Sequence, residues 1–389
     1  MLDVAVPPEA EEARLLRDTM RHFVDERLIP LEAQHPGGVP MAVKERLRDE
    51  AAALGLHALD VPEEAGGPGL SHLVQTVFWE ELGRAAALPA RESFVFGPLV
   101  GAVLAGLRGE QRARWLDPVL HGERVPCFAQ TEADAGSDPG AMRTRAVRDG
   151  GGYLITGTKR FITGAEKADF AQVVARTDPA KGARGLSLFL VDLRALGASV
   201  GAGEPTVSGD RPCEVVLDGV RVPAEDRVGE EGDGFRLGQA WITHGRVMRH
   251  GARSCGVAER CLEMGAAQAR ARTTFGAPLA DRQSVRFMLA DTYRELQSAR
   301  ALTLRAAAAM DAGADARLPS WLAKVEGTEC ALRAADRCLQ IHGGSGLTTA
   351  LPIERMWREA RSFTITEGPA EVMRDAIARQ VLDLYAGRA

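Results

Sequence analysis

Glu367 is the residue around which acid–base chemistry could be built. It stands in the stretch Gln340–Arg374, QIHGGSGLTTALPIERMWREARSFTITEGPAEVMR. The stretch opens on a Gly-rich turn, Gly343-Gly344-Ser345-Gly346, that closes a long helical pattern. It ends at Glu367-Gly368-Pro369, just before another apolar-periodic segment. Pro369 suits the first turn of that segment's helix, where its missing N–H loses no hydrogen bond. Glu367 is therefore expected on a bend at a helix start, flanked by Ile365 and Gly368 and by no other charge. A carboxylate beside apolar groups has its ionised form disfavoured, so its proton affinity is expected to rise. A general base for a weak carbon acid requires that. A solvated glutamate near a helix N-terminus fits the same residues, and they leave both readings open.

Three other stretches carry usable side chains. Phe128-Ala129-Gln130-Thr131-Glu132-Ala133-Asp134-Ala135-Gly136-Ser137-Asp138 offers the Thr131 hydroxyl and, at Gly136-Ser137, a turn that exposes backbone N–H groups. That combination suits a heteroaromatic or phosphate ligand. Lys159-Arg160-Phe161-Ile162-Thr163-Gly164 adds an aromatic ring and a hydroxyl, though either stretch alone could be an ordinary hairpin. Arg272-Thr273-Thr274-Phe275-Gly276-Ala277-Pro278-Leu279, followed by Gln283, contains an arginine whose fork can pair a pyrophosphate in two places. A surface charge ending a helix is the alternative for Arg272. His244, His250 and His342 have no acidic or cysteine partner at metal-ligand spacing, so no metal is expected and the rings read as structural or solvated.

The elements that must position these groups come in three textures. Residues 9 to about 125 read as helical, with Leu15, Leu16, Met20 and Phe23 at helical spacing and a Gly/Pro loop at Pro62–Ser71. From Val125 to about Gly232 short β-rich runs appear: Tyr153–Ile155, Phe170–Ala175, Leu186–Leu193 and Val215–Val222. Asp218-Gly219 reads as a hairpin turn among them. No strand–GxGxxG–helix context occurs, which argues against a Rossmann nucleotide site. From Phe235 the pattern is helical again; Val285, Leu289, Thr292, Leu296, Ala299 and Thr303 keep bundle spacing. The fold class expected is α+β: an N-terminal helical domain at 1–125, a middle antiparallel β domain at 126–232 and a C-terminal four-helix-bundle domain at 233–389.

Composition excludes several function classes. A chain of 389 residues exceeds what one core usually occupies. The formal charge of -5 argues against nucleic acid as the main partner. Only five of the 48 basic residues are lysine, a skew read as coding bias rather than as a phosphate-binding surface. The start, MLDVAVPPEAEEARLL, has neither a basic n-region nor an apolar h-region, and no segment reaches transmembrane length. A soluble, cytoplasmic protein is expected. The six cysteines form no CxxC pair and read as small core residues.

These motifs, in this order, resemble the acyl-CoA dehydrogenase family over nearly the whole chain. QxxGGxG, an Arg-rich helix and a Glu followed by Gly resemble its C-terminal signature; PEExGGxGLS and the EQ…WLxPxLxGE stretch resemble its N-terminal helical domain. The resemblance implies FAD as cofactor and Glu367 as the catalytic base. It implies flavin contacts from Phe128, Gln130 and Thr131, a ring stack from Phe161, and a hydroxyl from Thr163 aimed at flavin N5. Arg272, Phe275, Gln283, Gln340, Gly343 and Gly344 would grip the adenosine diphosphate half of a neighbouring subunit's FAD, with Glu371 also at the cofactor. Ser137, Arg246 and Gly368 would lie along the substrate, and Arg249 could claim the role of Arg246 after a small shift in alignment. Phe94–Leu99 and Trp241 are candidates for the acyl end. Gly245 stands where the isovaleryl and long-chain subgroups carry their base, so Glu367 has no rival.

The activity implied is α,β-dehydrogenation of an acyl-CoA to the trans-2-enoyl-CoA. Electrons would pass to an electron-transfer flavoprotein, and the protein would be a homo-oligomer, tetramer or dimer, with FAD at the subunit interface. Neither nucleic acid nor membrane is an expected partner. Gln130, Ala350, Thr366, Pro369 and Glu371 depart from the residues usual in the family, which leaves reduction potential and acyl preference open. A carrier-protein thioester substrate, an oxidase or monooxygenase of the same fold, and a non-catalytic flavin-binding scaffold are the alternatives.

Overall fold

The computed structural model describes residues 11–89, 94–98 and 100–386. Most of the opening stretch, and Leu99 of the acyl-end candidates, lie outside the described residues. The chain divides into two compact units, one of residues 1–59, 70–96 and 243–389, the other of residues 60–69 and 97–242.

The principal helices are α1 (Glu11–Phe23), α2 (Met41–Ala53), α3 (His72–Gly83), α4 (Gly234–Gly245), α5 (Arg253–Ala271), α6 (Gln283–Asp311), α7 (Arg317–His342), α8 (Ile353–Phe363) and α9 (Ala370–Tyr385). Arg246–Ala252, between α4 and α5, is π-helical. All but the first part of α4 belong to the first unit. Ser71 starts α3 by accepting a hydrogen bond from the Val74 N–H. Glycine lets α3 and α5 touch through their backbones: a Cβ at Gly83 would lie 2.1 Å from the Arg253 carbonyl oxygen, and one at Gly256 1.8 Å from that of Glu80. Small side chains repeat this economy between α5, α6 and α7, where Ala258, Cys261, Ala299, Ala331, Ala334 and Cys338 share one core with Leu296 and Phe363. All six cysteines are buried and unbridged.

The second unit is built on strands β1 (Pro126–Ala129), β2 (Arg145–Asp149), β3 (Gly152–Ile162), β4 (Phe170–Arg176), β5 (Leu186–Asp192), β6 (Ala198–Val200), β7 (Cys213–Pro223) and β8 (Arg227–Val228). The sheet runs β6-β7-β3-β2-β4-β5-β8, with β1 also beside β4. Pairing is antiparallel except for β1 against β4 and a single parallel bridge between β2 and β4. Ala129, Ile155, Val173, Phe189, Val215 and Val220 fill its core.

Asp218-Gly219 does not turn the chain. Both residues lie inside β7, where the register against β3 slips between Ile155 and Gly157. Gly219, at φ +64, forms a bulge there. A left-handed glycine serves a bulge as well as a hairpin, which is why the dipeptide was ambiguous in the sequence.

One buried pair ties the loop after β1 to β3. Lys159 is fully buried and donates to the Gln130 carbonyl oxygen at 3.0 Å and to Glu132 Oε1 at 2.8 Å. Glu132 also accepts from the N–H groups of Arg143 and Thr144, at 2.6 and 3.0 Å. Burial pushes the Lys159 ammonium down to about 8, and the facing carboxylate keeps it charged at neutral pH. Burial alone would push the Glu132 carboxyl up, but Lys159 and the two N–H donors hold it below its ordinary value. Removing one partner strands the other in the interior, at a cost of roughly 3–5 kcal/mol. Glu132→Gln is therefore expected to lower the denaturant midpoint, and an unchanged midpoint would show that the pair does not hold this loop.

Candidate active site

Four non-glycine residues among those described have positive φ: Ala58 (55°), Phe161 (58°), Phe275 (48°) and Glu367 (56°). Such conformations cost about 1–3 kcal/mol each and persist where the surroundings over-determine them, often at functional sites. Three of the four belong to the stretches singled out above.

Glu367 lies on the bend between α8 and α9. Gly368 follows at φ +102, where a Cβ would sit 2.8 Å from Met373 Cε and 3.2 Å from Arg246 Nη2. Pro369 caps α9 from just outside instead of lying within its first turn. Three cations from two other segments hold the bend. Arg246 donates through Nε to the Glu367 carbonyl oxygen at 2.9 Å. Lys324, fully buried on α7, donates through Nζ to the carbonyl oxygens of Thr364 at 3.1 Å and Gly368 at 2.7 Å. Arg249 donates to Glu367 Oε1 through Nη2 at 2.7 Å and through Nε at 3.3 Å. Glu367 Oε2 is buried without a hydrogen-bond partner, with His250 Nδ1 3.4 Å away.

The sequence expectation that no charge flanks Glu367 is corrected here. Burial pushes the carboxyl up, but the Arg249 guanidinium and the His250 ring together outweigh it, and Glu367 is held well below the usual carboxylate range. Arg249 is 118 residues away along the chain, beyond the reach of any reading of local neighbours. His250 is pushed down by burial, so its ring faces the carboxylate uncharged at neutral pH. Its Nε2 lies 2.9 Å from Thr366 Oγ1, so it supports the bend. Burial pushes Arg246 down to about 10 and Lys324 to about 8, which leaves both charged at neutral pH. Lys324 carried no signal in the sequence beyond being a lysine on an apolar-periodic helix.

Gly245 has a steric reason. A Cβ there would lie 2.2 Å from both Arg249 Nη2 and Glu367 Oε2. His244, by contrast, is pushed down to about 3 by burial and pairs with Gln75 Oε1 at 3.0 Å. His342 bonds the Cys338 carbonyl oxygen of its own helix at 2.9 Å.

In the β unit, Phe128 stacks on Trp241 with centroids 5.9 Å apart. Trp241 fills the space over Gly101, where a Cβ would be 1.7 Å from its ring. Gln130 Oε1 is buried without a hydrogen-bond partner, and a Cβ at Gly238 would lie 2.7 Å from it. Thr131 is half-buried, and its carbonyl oxygen accepts from the Arg160 N–H at 2.8 Å. Phe161, one residue before the end of β3, has 54% of its surface exposed, and Thr163 follows in the next turn. Ser137 is exposed. An exposed ring in a strained conformation and a buried amide oxygen with an open valence fit a flat, polar-edged aromatic group such as a flavin.

In the helical unit, Arg272, Phe275 and Gln283 surround a two-stranded turn, Thr273–Thr274 against Ala277–Pro278. Gln340, Gly343 and Gly344 close α7. Both groups flank one small core of Ala269, Val285 and Ile341, which brings the two stretches together. All six are exposed, Phe275 to 99%. No side chain would crowd a Cβ at Gly343 or Gly344, so a ligand could approach the backbone there. Glu371 is exposed at the start of α9. Arg246, Glu367 and Gly368 are brought together by the π-helical segment and the bend between α8 and α9. Gly245→Ala is expected to break the Arg249–Glu367 pair; a crystal structure of the variant with Oε1 still 2.7 Å from Arg249 Nη2 would refute that.

Comparison with known proteins identifies the whole pattern. Residues 10–123, 127–220 and 232–382 match the acyl-CoA dehydrogenase N-terminal, middle and C-terminal domain models. The chain is 34% identical over 384 residues to the mitochondrial short-chain specific acyl-CoA dehydrogenase of Mus musculus, covering 96% of this chain and 91% of that protein. It is 34% identical over 383 residues to the caffeyl-CoA reductase-Etf complex subunit CarC of Acetobacterium woodii, covering 96% and 99%. A solved FAD complex of PigA superposes with a TM-score of 0.85 at 25% identity, covering 96% of this chain and 98% of that one. The chain belongs to the acyl-CoA dehydrogenase family.

Proposed function

We propose that this protein is an FAD-dependent acyl-CoA dehydrogenase in which Glu367 removes the α-proton of the acyl thioester. The family membership gives the reaction class, an oxidation of an acyl-CoA to its trans-2-enoyl-CoA. The observation that carries the assignment of the base is the conformation of Glu367. A glutamate is held left-handed by cations on both sides, ionised, with one buried carboxylate oxygen that no hydrogen bond occupies.

Bound FAD supplies the two-electron acceptor. Phe161 offers an exposed face for its ring system, and Gln130, Thr131 and Thr163 offer polar groups for its edge. Arg272, Phe275, Gln283, Gln340, Gly343 and Gly344 hold the adenosine diphosphate portion. As the family resemblance implies, the FAD they grip belongs to a neighbouring copy in a homo-oligomer, and their exposure in the single chain leaves them open to it. Glu371 stands at the same cofactor.

The chain's own part in the chemistry is proton removal. The Cα–H bond breaks, its proton passes to the Glu367 carboxylate, and its electron pair becomes the new Cα–Cβ π bond as the β hydrogen leaves with its pair. Gly368 keeps room beside the base, Arg246 fixes the base's backbone, and Ser137 lies along the thioester arm. Electron-transfer flavoprotein is the partner that reoxidises the cofactor, as the name of the Acetobacterium woodii relative suggests.

Anaerobic mixing of the yellow holoprotein with acyl-CoAs tests the reading through bleaching of the flavin's visible band. Glu367→Gln is expected to keep its FAD and to slow bleaching by roughly 10²–10⁴-fold; undiminished bleaching would remove Glu367 from the reaction. Arg272→Gln is expected to purify with less FAD per chain, read from the visible-to-ultraviolet absorbance ratio, and full occupancy would refute its role.

A further inference from the structure

We propose that Arg249 is a positioning residue that divides the Glu367 carboxylate between two tasks, holding Oε1 fixed and leaving Oε2 as the oxygen that takes the proton. The inference rests on the reading of Glu367 as the base. Two N–H groups of one guanidinium converge on Oε1, at 2.7 and 3.3 Å, whereas Oε2 has no hydrogen-bond partner and only His250 Nδ1, 3.4 Å away, beside it. Two donors from one rigid plane fix the orientation of a carboxylate more tightly than a single contact does. The pair is enclosed: the Arg249 side chain is 7% exposed and that of Glu367 15%.

Gly245 completes the arrangement, since any side chain there would occupy the space of Nη2 and Oε2 together. The two oxygens thus differ before any substrate arrives. Oε1 is saturated by the cation and is a poor proton acceptor. Oε2 is buried and open.

The charged and titratable groups facing the carboxylate are Arg249, Arg246 and His250 from the π-helical segment, His244 from the end of α4, and Lys324 from α7. Glu371 on α9 and Glu329 on α7 face Lys324 in turn. Of these, Arg249 has the largest effect in opposing burial of Glu367. Its role fixes the sign of the pH dependence. With Arg249 present the carboxylate stays ionised to low pH, so the base form persists as the medium is acidified. Without it, burial is opposed only by His250, Arg246 and Lys324, the carboxyl's proton affinity rises, and the base is lost at a higher pH. Arg249 orients the carboxylate and transfers nothing.

The test uses the FAD holoprotein with Arg249→Met and Arg249→Lys, and follows flavin bleaching by a substrate acyl-CoA against pH. Arg249→Met is expected to move the acid limb toward higher pH by at least about tenfold in proton concentration. Arg249→Lys is expected to return most of that shift while remaining slower at high pH, because one point charge does not fix the carboxylate plane. An acid limb unchanged in Arg249→Met overturns the proposal. If that variant yields no yellow protein, Arg249→Lys decides: a pH profile and limiting rate equal to the parent's overturn it. Infrared difference spectra against Glu367→Gln read the protonated carboxyl of Glu367 without any substrate. They separate the two claims: bleaching that survives in Glu367→Gln defeats the base, whereas a carboxyl band that ignores Arg249 defeats the positioning.

Discussion

Lys324 rises from α7 with no exposed surface and gives two of its hydrogens to the carbonyl oxygens of Thr364 and Gly368. Those carbonyls bracket a glutamate whose backbone costs about 1–3 kcal/mol to hold. Hydrogen bonds to a charged group contribute about 1.5–3 kcal/mol each. Two from Lys324 and one from Arg246 are therefore enough to offset the strain. The bend is stable as a consequence of cations reaching its main chain, and the carboxylate is then free to serve something other than the fold.

The β unit solves its problem in the same way. Lys159, equally buried, binds the Gln130 carbonyl and Glu132, and so fixes the loop that carries Phe128, Gln130 and Thr131. Only five lysines occur in the chain, and these two are fully buried. Arginine dominates elsewhere, but its planar fork suits a carboxylate. A compact ammonium with donors in a tetrahedral array suits carbonyls that converge from different segments. The scarcity of lysine is thus bias on the surface and geometry in the interior.

Much of this was legible in the sequence. The helical, β-rich and helical textures followed from periodicity, and Gly368-Pro369 announced the bend at Glu367 because glycine permits a positive φ and proline fixes its own. Asp218-Gly219 misled because a left-handed glycine is compatible with two structures, and only pairing with β3 selects the bulge. The electrostatics of Glu367 were illegible for a different reason. Its neighbours in sequence are apolar, whereas its neighbours in space come from the π-helical segment and α7, and their charge reverses the direction of the shift. Lys324 and Lys159 left no mark because a lysine in a helical or strand pattern normally reads as a solvated face.

Gly245 and Glu367 compete for one volume. Adding a side chain at 245 first would push aside the end of the existing glutamate and of its arginine. Shrinkage at residue 367 would spare that displacement. Glycine is the natural replacement there, since φ +56 suits it without strain. The two positions are therefore coupled: what side chain 367 carries sets how much position 245 can hold.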